Sequence, residues 1–392
     1  MTTPAIVDIM RFSKQRLKAE VDLFMKPATG MTCLRPFYYM NISGGGVLSP
    51  CCPGLLTMPL GLQSPRRSFS DLWNGATARL FRKAMHSTRL DSVCRRESCP
   101  FFMHGLLPRP TENGLDMSAV PAGLYPEGLL NDSAVLAAVR GKAVRLDYTP
   151  RTIAMACDRR CNLSCASCRS TRAVKISKTE SAFLDTVNEY VHSIGEHLLE
   201  IELSGSGEVF YSPFGLSFLR SLSRGAFPRM NVHIVTNGQL LTGALWESLG
   251  QAQSFINRID VSIDAAVEET YEAIRVGASW KRLRDNLLFM SQLRKTGAIG
   301  MLMFNFVVSV RNFREISLFL RMAENYGADT VMITALQDWG DGMRYNYEKE
   351  AVHLLTHPLH KEFVKTIQSV REKSQRVLFG IPGIDSWQER II

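Results

Sequence analysis

Three closely spaced cysteines are the residues of this chain best suited to metal chemistry. They lie in the run Cys161-Asn-Leu-Ser-Cys165-Ala-Ser-Cys168, so a single short loop carries all three thiols. Cysteine thiolates are the usual protein ligands of iron–sulfur clusters, and most electron carriers supply four of them. Three thiolates leave one iron of a four-iron cluster free to bind a substrate or a cofactor. The spacing therefore favours a catalytic cluster over a purely electron-carrying one.

Two alternatives for these cysteines stay open from the spacing alone. Cys157 precedes the run, and counting from it gives gaps of three and three instead of three and two. Closely spaced cysteines also bind zinc, although zinc sites usually pair two Cys-x2-4-Cys knuckles across a longer gap. For Cys157 we favour a buried strand cysteine over a redox, ligand or hydrogen-donor role.

Length and composition limit the class of protein. A chain of 392 residues exceeds the size of one hydrophobic core, so two domains are expected. There is no run of eighteen apolar residues and no basic start followed by an apolar stretch, so neither a membrane span nor a secretory signal is expected. Nine cysteines then indicate a reducing, cytoplasmic compartment. The net charge of +9 favours an acidic partner such as a flavodoxin, or a phosphorylated or acidic substrate. A basic surface that only keeps the protein soluble is the alternative, and no nucleic acid is expected.

From Thr152 onward, short apolar runs alternate with helical patterns. The predicted strands are Thr152–Cys157, Leu199–Leu203, Asn231–Thr236, Arg258–Asp264, Met301–Val308 and Thr330–Thr334. Helices are predicted at Glu180–Ile194, Phe214–Leu222 and Ala244–Leu249, from Glu268, from Lys281, and at Arg314–Tyr326. This alternation indicates an α/β fold with a parallel sheet and right-handed crossovers. In parallel barrels the chemistry lies at the carboxyl ends of the strands, where the cysteine loop and the following motifs fall.

Polar motifs follow three further strands. The second strand ends in Ser204-Gly-Ser-Gly-Glu-Val209, where glycines allow close backbone approach and an acidic group can accept hydrogen bonds from an ammonium. The third ends in Thr236-Asn-Gly238, and the fourth carries Val261-Ser-Ile-Asp264. A segment from Thr270 to Gly277 then contains Arg275, whose forked donors suit a carboxylate.

The cysteine spacing, the Cys-Asn-Leu tripeptide and these strand ends together resemble the radical S-adenosylmethionine (SAM) superfamily. The resemblance implies a partial (β/α)6 barrel of the TIM type over residues 150–340, with a [4Fe–4S] cluster on Cys161, Cys165 and Cys168. It assigns Gly205, Gly207 and Glu208 to the amino group of SAM. Further cofactor-binding residues implied by it are Thr236, Asn237, Ser262, Asp264 and Arg275, with Arg275 near the SAM carboxylate, and Asn305 is a further candidate contact. Ser167 departs from the family, which often has an aromatic residue there, and so does Val209, which replaces a proline.

The N-terminal region is rich in cysteine. A predicted hairpin with a glycine turn runs from Cys33 to Cys51 and Cys52, and a Leu72-Trp-Asn74 helix start and the pair Cys94 and Cys99 follow it. This order resembles the SPASM or twitch auxiliary iron–sulfur domain, here placed before the barrel instead of after it. By that resemblance Cys33, Cys51, Cys94 and Cys99 bind a probable auxiliary [4Fe–4S] cluster, with Cys52 as the alternative to Cys51. Zinc is the alternative metal.

The expected domains are an auxiliary α+β domain at 1–125, a linker at 126–149, the barrel at 150–340 and a C-terminal helical extension at 341–392, with an amphipathic helix from Glu350 to Glu372. The resemblance implies an enzyme that cleaves SAM reductively to a 5′-deoxyadenosyl radical and abstracts hydrogen from a peptide or a sugar, with the peptide preferred. A sugar or aminoglycoside dehydrogenase or epimerase is one alternative, and a non-catalytic iron–sulfur carrier or sensor is another. Expected partners are a flavodoxin- or ferredoxin-type electron donor and, for a peptide substrate, a separate leader-recognition protein.

Overall fold

The computed structural model describes residues 30–381 except 97, 113, 122, 170, 204–205, 339–342 and 372–376. Gly205 and parts of both expected terminal domains therefore lie outside the described residues. Among the described residues, no helix is both long and apolar enough to cross a membrane.

One large sheet organises the chain. Its strands, in chain order, are β1 Tyr39–Ser43, β2 Val47–Ser49, β3 Gly61–Leu62, β6 Thr152–Ala156, β7 Glu200–Leu203, β8 Asn231–Thr236, β9 Ile256–Ser262, β10 Met301–Val308, β11 Thr330–Ala335 and β12 Val377–Gly380, while β4 Arg109–Thr111 and β5 Gly114–Asp116 form a separate hairpin. The order across the sheet is β12-β11-β10-β9-β8-β7-β6-β1-β2-β3. The six predicted strands are present as β6 to β11, all parallel. The predicted α/β fold with a parallel sheet is confirmed.

Two strands extend the predicted parallel sheet. β1, from the cysteine-rich hairpin, pairs in parallel with β6 over five residues, from Tyr39–Thr152 to Ser43–Ala156. β12 adds a parallel strand beyond β11. Side chains from β1 and from β7 to β12 line one interior cavity, so the sheet curves around it as a barrel that stays open between β12 and β3.

Helices connect the strands. They are α1 Arg35–Tyr38, α2 Phe69–Trp73, α3 Ala76–His86, α4 Pro100–Met103, α5 Ser133–Arg140, α6 Lys178–Ser193, α7 Pro213–Ser221, α8 Gly243–Ser248, α9 Glu268–Ile274, α10 Trp280–Lys295, α11 Ile316–Asn325, α12 Tyr347–Glu350 and α13 His360–Arg371. Local sequence explains where several begin: Ser177 and Glu180 form a capping box at α6, and the Ser212 hydroxyl caps α7. The tail differs from the expected single helix from Glu350 to Glu372, because α12 ends at Glu350 and α13 begins only at His360, after Pro358.

A buried arginine ties the cysteine-rich region to the segment that leads into the barrel. Arg82 on α3 is fully buried, and its guanidinium donates to the carbonyl oxygens of Pro36, Trp73 and Val144 at 2.9, 2.7 and 3.0 Å. The Trp73 indole donates to the carbonyl of Tyr148 at 2.8 Å. The Leu72-Trp-Asn74 segment was predicted as a helix start, but it is the end of α2, and from there it positions the chain that enters β6.

Candidate active site

The cysteine loop follows β6 at the carboxyl end of the sheet. Cys161 and Cys165 are buried and Cys168 is exposed. The loop is fixed by its backbone: Cys161 N donates to Ala173 O at 2.8 Å, and Cys168 N donates to Cys165 O at 3.0 Å. The three thiols thus belong to one short, internally bonded turn.

Each of the three sulfurs has an N–H donor directed at it. Cys161 Sγ accepts from the backbone N of Leu163 at 3.4 Å and from Asn237 Nδ2 at 3.9 Å. Cys165 Sγ accepts from Arg275 Nη1 at 3.8 Å, and Cys168 Sγ accepts from Arg169 Nη2 at 3.5 Å. Donors of this kind stabilise a thiolate relative to a thiol. The loop is therefore suited to holding three negatively charged sulfurs.

Arg275 reaches Cys165 because the segment after α9 is bonded to the cysteine loop. Ser164 N donates to Val276 O at 3.1 Å and Ala166 N donates to Ile274 O at 3.2 Å, one on each side of Arg275. The guanidinium also forms an ion pair with Asp264, Nη2 to Oδ2, at 2.6 Å. Burial alone would lower the pKa of Arg275, but Asp264 and Cys165 raise it above its ordinary value. Its Nε is buried without a hydrogen-bond partner in the described structure, so this N–H remains available to donate to a ligand.

Asp264 is held in an unusual backbone conformation. Its φ of 68° lies in the left-handed region, which costs free energy for a residue other than glycine. Two contacts fix it there: Val307 N donates to its Oδ1 at 2.8 Å, and Asn312 Nδ2 donates to its carbonyl at 2.8 Å. The strained residue is therefore locked in position opposite Arg275.

Glu208 is a buried carboxylate beside the loop. Its oxygens accept from Thr236 Oγ1 at 2.8 Å and from the backbone N of Asn237 and Phe210 at 2.7 and 3.3 Å. Burial raises its pKa despite these donors, which act in the opposite direction. A carboxylate has about four lone-pair positions, so three donors leave one for a ligand.

Gly207 allows the second strand's loop to pack on the cysteine loop. A Cβ here would overlap the carbonyl oxygens of Asp158 and Arg160. Glu208 N donates to the same Arg160 carbonyl at 2.9 Å. The sequence predicted close approach of this glycine to a ligand, but in the structure the close neighbour is the backbone that leads to Cys161.

A second group of thiols lines the floor of the barrel cavity. Cys33, Cys51, Cys94 and Cys99 are half-buried and pack against the core, whereas Cys52 is exposed. Burial raises the pKa of Cys33 to about 11 and that of Cys99 to about 12. Such thiols stay protonated at neutral pH unless a metal replaces the proton. Cys52 lines the cavity too, so the floor offers five thiols from three separate segments, four of them half-buried.

Two family models match the segments that hold the two groups of cysteines. The model of the radical SAM superfamily matches residues 157–316, and the model of the SPASM iron–sulfur cluster-binding domain matches residues 33–100. The chain therefore carries a radical SAM domain at residues 157–316. Its SPASM domain precedes the radical SAM domain, and the comparison with curated proteins gave no match.

Solved structures similar to this radical SAM chain have low sequence identity. Streptococcus suis SuiB bound to precursor peptide SuiA is 14% identical, covering 60% of this chain and 49% of its own length, with a TM-score of 0.43. Native anSMEcpe with bound AdoMet is 14% identical, covering 58% and 63%, with a TM-score of 0.42. The chain thus spans about half the length of SuiB.

The two domains imply [4Fe–4S] clusters and SAM as cofactors, and the donor sets fit them. The radical SAM loop offers three thiols, each with an N–H donor, and the SPASM floor offers four half-buried thiols. Within the described ranges, no three His, Cys, Asp or Glu side chains surround a single metal-ion position. The fit rests on the chemistry of the donors, which are soft thiolates suited to iron–sulfur clusters.

Most of the predicted radical SAM residues lie together. Glu208 contacts Thr236 and Asn237 directly, and Asp264 contacts Arg275. Ser262 is the last residue of β9, and its register partner on β10 is Asn305. Cys157 is buried just after β6, and burial raises its pKa to about 12.

Two neighbours of the thiols were not predicted. Arg169 binds Cys168 Sγ and donates to Arg159 O at 2.7 Å, and Asn162 Oδ1 accepts from Asn237 Nδ2 at 2.8 Å. Both are adjacent in sequence to a cysteine of the motif, so a search for donors flanking each cysteine would have found them.

Proposed function

We propose that Cys161, Cys165 and Cys168 hold the catalytic cluster of an enzyme that cleaves SAM and removes a hydrogen atom from a peptide. The observation that carries this proposal is the N–H donor directed at each of the three sulfurs, with Glu208 and Arg275 beside them. A purely electron-carrying or sensing protein needs neither of these two residues. When bound, the cluster and SAM supply an electron and a hydrogen-abstracting fragment.

In this proposal the protein's own residues bind and orient the cluster and SAM. Asn237 joins Cys161 to Asn162 and so fixes the first thiol. Glu208 keeps one lone-pair position for the SAM ammonium, and Arg275 keeps its Nε for the SAM carboxylate. Ser262, Asp264, Thr236 and Gly207 shape the same pocket, and Gly205 belongs to it by its motif. Because Glu208 and Asp264 are each 2% exposed, the site excludes water around the charges it holds.

The SPASM floor is the proposed second cluster site, with Cys33, Cys51, Cys94 and Cys99 as ligands. We assign residues 1–125 to the auxiliary domain, 126–149 to a linker, 150–340 to the barrel and 341–392 to a C-terminal extension. A peptide is preferred as substrate because SPASM enzymes mainly modify peptides, and a sugar is the alternative. The proposed partners are an electron donor of the flavodoxin or ferredoxin type and a protein that recognises the peptide leader, all in the cytoplasm.

The decisive experiment measures 5′-deoxyadenosine formed from SAM by anaerobically reconstituted, dithionite-reduced protein. Wild type should form it, and the variant with Cys161, Cys165 and Cys168 all changed to alanine should not, while its circular dichroism stays native. A matched control changes the exposed Cys52 to alanine and should keep activity. Product from the triple variant would overturn the ligand assignment, and no product from wild type would favour the carrier or sensor.

A further inference from the structure

A cavity of about 530 Å³ occupies the interior of the barrel. Its floor carries the thiols Cys33, Cys51, Cys52, Cys94 and Cys99, where the proposed auxiliary cluster would take up part of the space, and its lining extends up to Asn305 on β10. Asn305 is the register partner of Ser262, the residue that ends β9 next to the proposed SAM pocket. The cavity thus extends from the SPASM floor towards the proposed site of hydrogen abstraction.

One wall of the cavity is acidic. Glu200 and Glu202 lie two residues apart on β7, so both side chains point to the same face of the sheet. Glu202 accepts a hydrogen bond from the Tyr39 hydroxyl at 3.1 Å. Glu200 makes no hydrogen bond or ion pair with any residue that the structure describes, and burial raises its pKa. An ionised carboxylate in such surroundings is costly unless a cation or a donor meets it.

Two of the positive groups that line the cavity are paired with Asp260. Arg258 binds Asp260 with two hydrogen bonds of 2.8 and 2.9 Å, and His233 Nε2 lies 2.9 Å from the same carboxylate. Arg35 lies over the Tyr39 ring at 4.5 Å, and Glu202 is among the acidic groups that act on its charge. His233, Arg258 and Arg35 therefore act on Glu200 as positive charges, but among the described residues none of them forms a hydrogen bond or an ion pair with it.

The opposite wall is apolar and adaptable. Met301, Met303, Met332 and Leu378, from β10, β11 and β12, line it. Thioether side chains adjust to the shape of a ligand's apolar part. A ligand that satisfies both walls has an apolar stem and a positively charged end.

We propose that this cavity binds a cationic group of the substrate, a primary ammonium or a guanidinium on a largely apolar stem, with Glu200 and Glu202 as its acceptors. The inference rests on the proposed function, since it places part of the hydrogen-donating substrate inside the barrel. A lysine or arginine side chain of a peptide and an amino sugar are the two sources of this chemistry. Glu200 would accept the cation directly, and Tyr39 would hold Glu202 in place beside it.

Calorimetric titration of the reconstituted protein in the presence of SAM tests the proposal. The probes are N-acetyl-lysine methylamide, N-acetyl-arginine methylamide, glucosamine and the neutral N-acetyl-norleucine methylamide. At least one cationic probe should bind at least tenfold more tightly than the norleucine compound. Glu200→Gln should weaken that binding about tenfold or more, because it replaces a charge-assisted acceptor with a neutral one. Glu202→Gln is the second variant and should act in the same direction, while the exposed Glu189→Gln is the control and should change nothing.

Binding of a lysine or arginine probe alone assigns the cation to a peptide, and binding of glucosamine alone assigns it to an amino sugar. Equal binding of the norleucine compound, unchanged affinity in both acidic-wall variants, or no binding of any cation would overturn the inference. Wild-type 5′-deoxyadenosine formation without any probe is measured in parallel. If that product forms while no cation binds, only the inference about the cavity fails.

Discussion

Arg275 donates to the sulfur of Cys165 across 3.8 Å, although 110 positions of sequence separate the two residues. The same guanidinium is anchored by a strained aspartate, so its direction is fixed before any cofactor arrives. A hydrogen bond to a cluster sulfur raises the reduction potential of an iron–sulfur centre. The pair therefore links the electronic properties of the proposed cluster to the barrel strand that carries Asp264.

We expect Arg275→Gln to lower the midpoint potential of the catalytic cluster, because the variant loses a charged donor to Cys165. SAM affinity should fall as well, since the free Nε is lost. A redox titration followed by electron paramagnetic resonance, without SAM, measures the first effect separately. Arg282→Gln, an exposed arginine on the next helix, is the control. An unchanged potential in Arg275→Gln would remove this residue from the cluster environment.

Glu208→Gln should weaken SAM binding by roughly ten- to a hundredfold. The amide keeps the shape, and Thr236 and Asn237 can still bind it, but a charge-assisted bond to the SAM ammonium worth about 1.5–3 kcal/mol is lost. Equilibrium dialysis with labelled SAM gives the affinity, and visible absorption should show both clusters unchanged. Equal, tight binding by the variant and wild type would exclude Glu208 from the SAM site.

Cys51→Ala and Cys52→Ala should differ in iron content. With two four-iron clusters, wild type and Cys52→Ala should hold about eight iron atoms per chain, and Cys51→Ala about four, on the usual four-cysteine ligand count. The reason is position: Cys51 packs against the core with the other three half-buried floor thiols, and Cys52 is exposed. Zinc in place of iron on the floor would contradict the assignment. A lower iron content in Cys52→Ala than in Cys51→Ala would contradict it too.

Arg82→Met should lower the free energy of unfolding by about 3 kcal/mol or more. It leaves the carbonyls of Pro36, Trp73 and Val144 without their donor, and each buried unmet acceptor costs about 1–3 kcal/mol. Arg79→Met, on the exposed side of the same helix, should stay within about 0.5 kcal/mol of wild type. Urea denaturation of both variants measures their free energies of unfolding. If Arg82→Met were as stable as wild type, Arg82 would be dispensable.

Local patterns were sufficient to predict β6 to β11, because each strand is a short apolar run and helical patterns separate the strands. They were not sufficient for the partners of β1 and β12. Pairing between Tyr39 and Thr152 depends on contacts across the whole cysteine-rich region, and nothing in either segment specifies the other. For the same reason, Asp264 and Arg275 were each predicted as cofactor residues, but their ion pair was not.

The parallel pairing of β1 with β6 has a consequence during synthesis on the ribosome. Met40 and Ile42 on β1 are fully buried in the finished protein, but their neighbouring strand leaves the ribosome much later. At about 5–20 residues per second, β1 waits on the order of ten seconds for that partner. During this interval the hairpin exposes an apolar strand edge able to pair with other nascent chains. The N-terminal position of the SPASM domain thus creates a period in which aggregation competes with folding.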